Sequence, residues 1–299
     1  MDKFKKLVEV GPVGLQPWAE KELEGYADEI IRFNTLPDSE DELVSRIGDA
    51  DAILVRTLPL VPASVLSRCK NLKYVGMCCS LYSKESANVD IAYAEKNGIT
   101  VYGIRDYGDK GVTEFVIYAL VRILHGYNWP MWRSRPKEIT GLNIGFVGFG
   151  TSGQMTARAL MSLGANISYF ARSKKADCEM EGMHFKPLKD LLAESEIVIT
   201  CLNKGVILLH EEEFETLGNG KIMINTSIGP ASDMDALKAW ILNDANIFIS
   251  DTSGGVGSIY DEVKDRANVL CPDASAGMTE EAYDLMSKKV MDNIKKALS

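Results

Sequence analysis

The sequence predicts an α/β protein of two doubly wound domains, and three observations carry that expectation. Short apolar runs alternate with helical patterns through residues 6 to 106. The same alternation resumes at Leu142. Between them in character, Asn143 to Lys175 reads as strand, glycine-rich turn, helix and second strand. Short connections between alternating strands and helices call for parallel sheets covered by helices on both faces.

Taken in order, Lys6 to Val10 is apolar enough for a first strand, and Trp18 to Tyr26 has a helical pattern. Glu29 to Phe33 is extended, and Ser39 to Ile47 is a helix with Ser39 placed to cap it. Ala52 to Val55, Tyr74 to Gly76 and Thr100 to Tyr102 supply further strands. Helices at Pro62–Arg68 and Val89–Asn97 fill the gaps, and Gly98 stops the second. Gly111 to Gly126 is a long, strongly apolar helix, followed by Trp129-Pro130 and a polar stretch to Thr140. It marks the crossing into the second domain. Six strands then fall near 143–147, 166–170, 196–200, 221–225, 246–250 and 268–271, and Thr279 to Leu298 is a final helix.

Composition narrows the function. The chain has 299 residues, 46% hydrophobic and 25% charged, enough for two ordinary domains. A net charge of −9 argues against nucleic acid, whose phosphates call for a basic surface. No apolar run reaches the ~18–20 residues of a membrane span, and the start MDKFKKLVEVGP lacks the apolar core of a secretory signal. Cys69, Cys78, Cys79, Cys178, Cys201 and Cys271 show no paired spacing, which fits reduced thiols in a cytoplasmic protein. Three histidines without HExxH or CxxC give no zinc motif. His184 and His210 fall in surface-like segments, and Asp233 with Asp235 suits a helix N-terminus better than a metal pair.

The glycine-rich turn, Gly148-Phe149-Gly150-Thr151-Ser152-Gly153 with Gln154 behind it, has the spacing of a dinucleotide site. The first glycine permits a tight turn, the second lets backbone approach a pyrophosphate, and the third lets helix and strand pack closely. The helix N-terminus adds N–H donors and the positive end of a dipole. After the second strand an NAD site usually places Asp or Glu for the ribose 2′-OH. Here Ala171 is followed by Arg172, Ser173, Lys174 and Lys175. Arg offers bidentate, charge-assisted bonds to a 2′-phosphate where a carboxylate would repel it. NADP(H) is therefore expected over NAD, the alternative being a solvated basic turn.

The segments 53–76, 88–101, 111–121, 141–153, 188–200, 221–230 and 247–252 make the chain resemble the D-isomer-specific 2-hydroxyacid dehydrogenases nearly end to end. The resemblance implies a Rossmann cofactor domain, residues 107–278, inserted into a flavodoxin-like substrate domain, residues 1–106 and 279–299. It also implies a homodimer packed through the cofactor domain and its long connecting helix. Trp129 and Trp132 lie just beyond that helix.

The family's chemistry uses an Arg for the substrate carboxylate and carbonyl, a His as acid and base, and a Glu that tunes the His. The Arg should follow Asn225-Thr226-Ser227, where this chain has Ile228; the His should follow Pro272, where it has Asp273. Past Asp251 no carboxylate appears until Asp261. Ile228 can neither bind a carboxylate nor donate to an alkoxide. The family's glycine-rich substrate turn is also replaced, by Met77 to Ser86, read as an insertion of about four residues into a loop. Tyr82, Lys84 or Asp273 is then expected to replace the lost acid, with Lys84 or Lys110 as a substitute cation; incidental surface residues are the alternative. Cys201, Leu202, Asn203, Thr226, Ser227, Ile228 and Asp251 are expected on the cofactor face, with Lys204 beside them. For Asp251, contact with the nicotinamide carboxamide and capping of the following turn stand equal.

The resulting expectation is an NADP(H)-dependent oxidoreductase with an altered active site and a small keto or imino substrate. A non-catalytic dinucleotide or metabolite sensor, and a true 2-hydroxyacid dehydrogenase with substitute residues, are the rivals. Likeness of fold alone does not choose among them.

Overall fold

The computed structural model describes residues 3–299. The first half alternates β1 (Phe4–Glu9), α1 (Pro17–Leu23), β2 (Ala27–Arg32), α2 (Glu40–Ile47), β3 (Ala52–Val55), α3 (Ala63–Leu66), β4 (Tyr74–Ser80), α4 (Ile91–Lys96) and β5 (Thr100–Ile104). A long helix, α5 (Asp109–His125), precedes β6 (Asn143–Val147), α6 (Thr151–Ser162), β7 (Asn166–Phe170), α7 (Ala176–Met180) and β8 (His184–Phe185). Then come α8 (Leu188–Glu194), β9 (Ile197–Thr200), α9 (Glu211–Leu217), β10 (Ile222–Asn225), α10 (Met234–Ile241) and β11 (Ile247–Ser250). Short helices α11 (Ser253–Val256) and α12 (Tyr260–Val263), β12 (Val269–Leu270) and α13 (Glu280–Ala297) complete the chain.

Two compact units result: one runs up to Tyr107 and takes in Thr279–Ser299, and the other is Gly108–Met278. The first has a five-stranded parallel sheet in the order β2-β1-β3-β4-β5, the flavodoxin-like arrangement. Period-two alternation splits β3 between its faces. Ile53 and Val55 join the core under α2, α3 and α4, while Ala52 and Leu54 face Ala19 and Leu23 of α1 and Met286, Val290 and Ile294 of α13. The last helix is thus part of this unit's core. Ser39 caps α2 by accepting from the Glu42 N–H, and Thr279 caps α13 in the same way at Ala282.

The second unit carries seven parallel strands in the order β12-β11-β10-β9-β6-β7-β8, a Rossmann arrangement with its reversal at β6. Ile144 and Phe146 pack with α5 and α6, while Val147, Val198, Met223 and Phe248 face the α8, α9 and α10 side. Strand β8 was not among the six expected, because two residues carry too little periodicity to be seen. His184 lies in it.

Two other expectations change. The segment Met77 to Ser86 is not all loop: β4 runs through Ser80, with its register against β5 shifting between Gly76 and Ser80. Met77 and Cys79 fill one core and Cys78 the other, so alternation of small apolar side chains keeps the strand going. The apolar character of α5 is largely used inside its own unit, where Val116, Ala119, Leu120, Ile123 and Leu124 are buried. Trp132 is buried there as well, its Nε1 donating to the Gly220 carbonyl at 3.0 Å.

One buried charge cluster lies in the first unit. Glu9, 4% exposed, is paired in register with Arg32. Arg32 Nε donates to Glu9 Oε1 at 3.1 Å and to Glu20 Oε2 at 2.6 Å, so one guanidinium serves two carboxylates. Burial and the neighbouring charge of Glu20 outweigh Arg32 and push the Glu9 carboxyl up to about 8. The unfolded chain releases that proton near 4.5. Between these values the unfolded state binds fewer protons, so stability should fall as pH rises from 4.5 to about 8 and then level off. Urea midpoints at pH 5, 7 and 9 should show this fall in wild type and a shallower one in Glu9→Gln. Equal slopes in the two proteins would refute the assignment.

Candidate active site

The three glycines of the turn after β6 each meet a different constraint. Gly148 has φ +88°, and a Cβ there would lie 2.5 Å from the Cys201 carbonyl oxygen. A Cβ on Gly153 would sit 3.2 Å from the Gly148 oxygen and 3.5 Å from Cys201 Cβ, which keeps α6 close to the turn. Around Gly150, the N-cap of α6, nothing lies within 4 Å of where a Cβ would stand. Open ground before unpaired N–H groups of the first helical turn suits an anion. Thr151 is exposed there and Ser152 half-buried. Gln154, expected as a ligand contact, instead donates from Nε2 to the Phe149 carbonyl at 3.2 Å and accepts from Cys178 Sγ. It braces the turn.

The basic segment beyond β7 is fixed by Tyr169, whose hydroxyl accepts from the Lys175 N–H at 2.7 Å. Arg172 and Ser173 are exposed, and among the described residues neither side chain has a hydrogen bond or ion pair. Lys174 differs: its Nζ lies 2.7 Å from Glu179 Oε2, and this pairing holds the Glu179 carboxyl below its usual range. Arg172 and Ser173 are available to a ligand as they stand, whereas Lys174 must first leave Glu179.

The ends of β9 and β10 are tied by side chains expected to face the cofactor. Buried Asn225 accepts from Thr200 Oγ1 at 2.7 Å and the Ser227 N–H at 2.9 Å, and donates to the Gly229 and Gly255 carbonyls at 3.0 and 2.8 Å. Ser227 Oγ accepts from the Leu202 N–H, and Thr226 Oγ1 donates to the Thr200 carbonyl. Cys201 Sγ lies 3.2 Å from Thr226 Oγ1, and burial pushes its thiol up to about 11. Thr226 and Cys201 thus spend their protons inside the fold, whereas Ser227 only accepts and keeps its hydroxyl proton. Asn203 and Lys204 are exposed, and Ile228 is 51% exposed at the tip of its turn.

The two acids beyond β11 and β12 also have structural partners. Asp251 accepts from the Ala276 N–H at 2.9 Å through Oδ2, and its carbonyl accepts from the Ala274 N–H. Burial raises its carboxyl while these N–H bonds oppose the rise. These bonds tie the end of β11 to the segment beyond β12. Asp273, at φ 51°, accepts from the Ser253 N–H at 2.7 Å and is held below the usual carboxylate range by that bond. An exposed, ionised carboxylate at the start of α11 is a poor proton donor.

In the first unit, Lys84 Nζ is 2.5 Å from Glu95 Oε2, a pair in which both side chains are more than half exposed. Its charge has a partner, which weakens its case as acid or substitute cation. Tyr82 lies beside the ring-stacked Arg105, whose guanidinium also donates to the Leu81 and Tyr82 carbonyls. Lys110 is exposed in the first turn of α5.

Residues 13–299 match the family model described as the D-isomer specific 2-hydroxyacid dehydrogenase catalytic domain. The chain belongs to this family. Relatives within reach of sequence include a hydroxypyruvate reductase of Blautia hydrogenotrophica, 29% identical over 231 residues and covering 70% of each chain. A glyoxylate reductase of Thermofilum pendens is 30% identical over 234 residues, covering 70% of this chain and 68% of its own. Among solved structures, an acyclic imino acid reductase in complex with NADPH and D-Arg superposes with a TM-score of 0.83 at 20% identity, over 97% of this chain and 96% of that one. The apo D-lactate dehydrogenase of Escherichia coli gives 0.77 at 21% identity, over 98% and 96%.

Membership in the 2-hydroxyacid dehydrogenase family makes the chain an oxidoreductase of that type, using NAD(H) or NADP(H). The glycine turn fits such a group, since its open face at Gly150 adjoins the helix N-terminus. Among the described residues no cluster of three His, Cys, Asp or Glu could hold a metal ion, and no helix is long and apolar enough to cross a membrane.

Proposed function

We propose that this protein is an NADP(H)-dependent reductase of a small 2-imino acid, built on the 2-hydroxyacid dehydrogenase scaffold. The observation that carries the proposal is Asp273. It stands where the resemblance places a proton-donating His, and the Ser253 N–H keeps it ionised. A ketone needs a proton delivered to its developing alkoxide, which an ionised Asp does not supply. A protonated imine carries that proton already and is drawn to a carboxylate. The imino acid reductase among the similar folds is compatible with this chemistry.

Gly148, Gly150 and Gly153 would hold the pyrophosphate by backbone at the start of α6, with Arg172 and Ser173 on the 2′-phosphate. The dinucleotide would supply a hydride. The chain would then have to admit a planar C=N⁺ carbon, exclude water and favour the protonated form of the imine. Hydride addition gives a neutral amine, which takes up a proton from solvent afterwards, so no residue need act as acid during transfer. Ile228 offers apolar surface in place of the expected Arg. We also propose a homodimer in the cytoplasm, with Tyr118, Tyr127 and Met131, all more than 40% exposed along α5 and beyond it, in the contact.

Calorimetry should show tighter binding of NADPH than NADH. Arg172→Ala should weaken NADPH by roughly 10- to 150-fold, the equivalent of about 1.5–3 kcal/mol for one charge-assisted contact, with little change for NADH. Lys174→Met should cost less, because Glu179 competes for that ammonium. Equal affinities for the two cofactors in wild type would sink the NADP(H) assignment.

Pyruvate, glyoxylate and hydroxypyruvate alone should be reduced slowly, by a factor on the order of 10²–10⁴ below an enzyme with a positioned acid. NADPH oxidation by a panel of 2-oxo acids should rise sharply when excess methylamine converts them to imines. Brisk, amine-independent reduction would show instead that substitute residues rebuild the family reaction. Tight NADPH binding without any turnover would leave a cofactor-binding protein.

Light scattering at micromolar concentration should give twice the chain mass, falling in Tyr118→Asp. A monomeric wild type would remove the dimer from the proposal.

A further inference from the structure

Resting on the NADP(H) reading, in which the segment beyond β7 meets a 2′-phosphate, we propose that Glu179 sets how strongly this protein discriminates between the two dinucleotides. Glu179 holds Lys174 away from that phosphate, as an anion built into the unit that the ligand's own anion must displace. It is a specificity-setting residue that acts through another side chain. Of the three polar residues of the segment, Arg172 and Ser173 are exposed without such a partner, whereas Lys174 Nζ lies 2.7 Å from Glu179 Oε2.

The two members of this pair are held very differently. The Lys174 side chain is 63% exposed on a flexible stem, while that of Glu179 is 22% exposed. Glu179 Oε1 also accepts from the Phe185 N–H at 2.6 Å, and the Tyr169 hydroxyl adds a bond to the same carboxylate. Lys174 first, then the Phe185 N–H, keep that carboxyl below its usual range, so it stays an anion. The helix beneath is anchored as a whole. Arg158 of α6 donates twice to Glu181 at the end of α7, at 2.7 and 2.8 Å, and Cys178 Sγ donates to Gln154 Oε1 at 3.5 Å. The carboxylate is thus fixed to the body of the unit, and the ammonium is the partner able to move.

That asymmetry has a chemical consequence. A dinucleotide with a 2′-phosphate brings an anion to Arg172 and Ser173, and Lys174 must break its pair with Glu179 to join them. The new contact is offset by the one given up. A dinucleotide with a free 2′-OH brings no anion there, so the pair stays closed and Glu179 costs it nothing. Glu179 therefore lowers the affinity for NADPH and leaves that for NADH alone. The competing role is a brace between α7 and β8, and a brace would act on both dinucleotides alike.

The test is calorimetry of the full chain with NADPH and with NADH, without substrate, in wild type and Glu179→Gln. Gln keeps an oxygen for the Phe185 N–H and removes the charge. The variant should bind NADPH roughly two- to fivefold more tightly than wild type, the range that loss of a competing exposed ion pair supports, with NADH unchanged. The gain should shrink in the Lys174→Met background. An undiminished gain there would show that Glu179 acts without Lys174 and overturn the proposal. A gain shared by NADH, or none in a folded variant, would do the same. Should circular dichroism show that Glu179→Gln does not fold, Lys174→Met alone decides. Loss of an ammonium already engaged should weaken NADPH by no more than about twofold, and a larger loss overturns the proposal. Equal affinities for the two dinucleotides in wild type would overturn the NADP(H) reading, whereas the role of Glu179 is judged by the difference between wild type and variant.

Discussion

Asn225 is the polar group on which the second unit's ligand face depends. It ends a fully buried strand, and all four of its amide hydrogen-bonding positions are matched by groups on three segments. One bond reaches the end of β9, two shape the turn from Ser227 to Gly229, and one holds Gly255 at the start of the next connection. A buried amide left unpaired is costly, while a fully paired one fixes each partner in place. Gly255 must be glycine for the same reason, since a Cβ would stand 2.2 Å from Ser250 Oγ. The turns at the ends of β9 and β10 thus take their shape from one buried side chain.

Much of the remaining polar inventory is committed in a similar way. Thr226, Ser227, Cys201 and Gln154 close backbone gaps near the glycine turn. Asp251 and Asp273 accept backbone N–H groups, and Lys84 and Lys174 each meet a glutamate. Parallel sheets leave unpaired backbone groups at their carboxyl ends, and short polar side chains satisfy them at little entropic cost. What is left for a ligand in the second unit includes the open backbone at Gly150 and the exposed Arg172 and Ser173.

The chemistry follows from that division. An ionised Asp273 and an apolar Ile228 do not make a proton donor and an oxyanion partner, so the second unit can position a hydride source without supplying acid. A substrate that brings its own proton relieves the requirement.

The sequence alone determined the two parallel-sheet units, the glycine turn and the basic segment after β7. Each rests on local chemistry: period-two and helical patterning, the backbone freedom of glycine, and charge within a few residues. Only the tertiary structure decided which side chains remain available. Lys174 and Glu179 are five residues apart, yet their pairing depends on how α7 turns back. Asp273 meets Ser253 across twenty residues, and Arg56 meets Tyr283 across 227. The continuation of β4 through Ser80, the strand β8 and the burial of Trp132 were equally hidden, since each is fixed by neighbours distant in the chain. A residue's type announces what it can bond, and only packing says what it has already bonded.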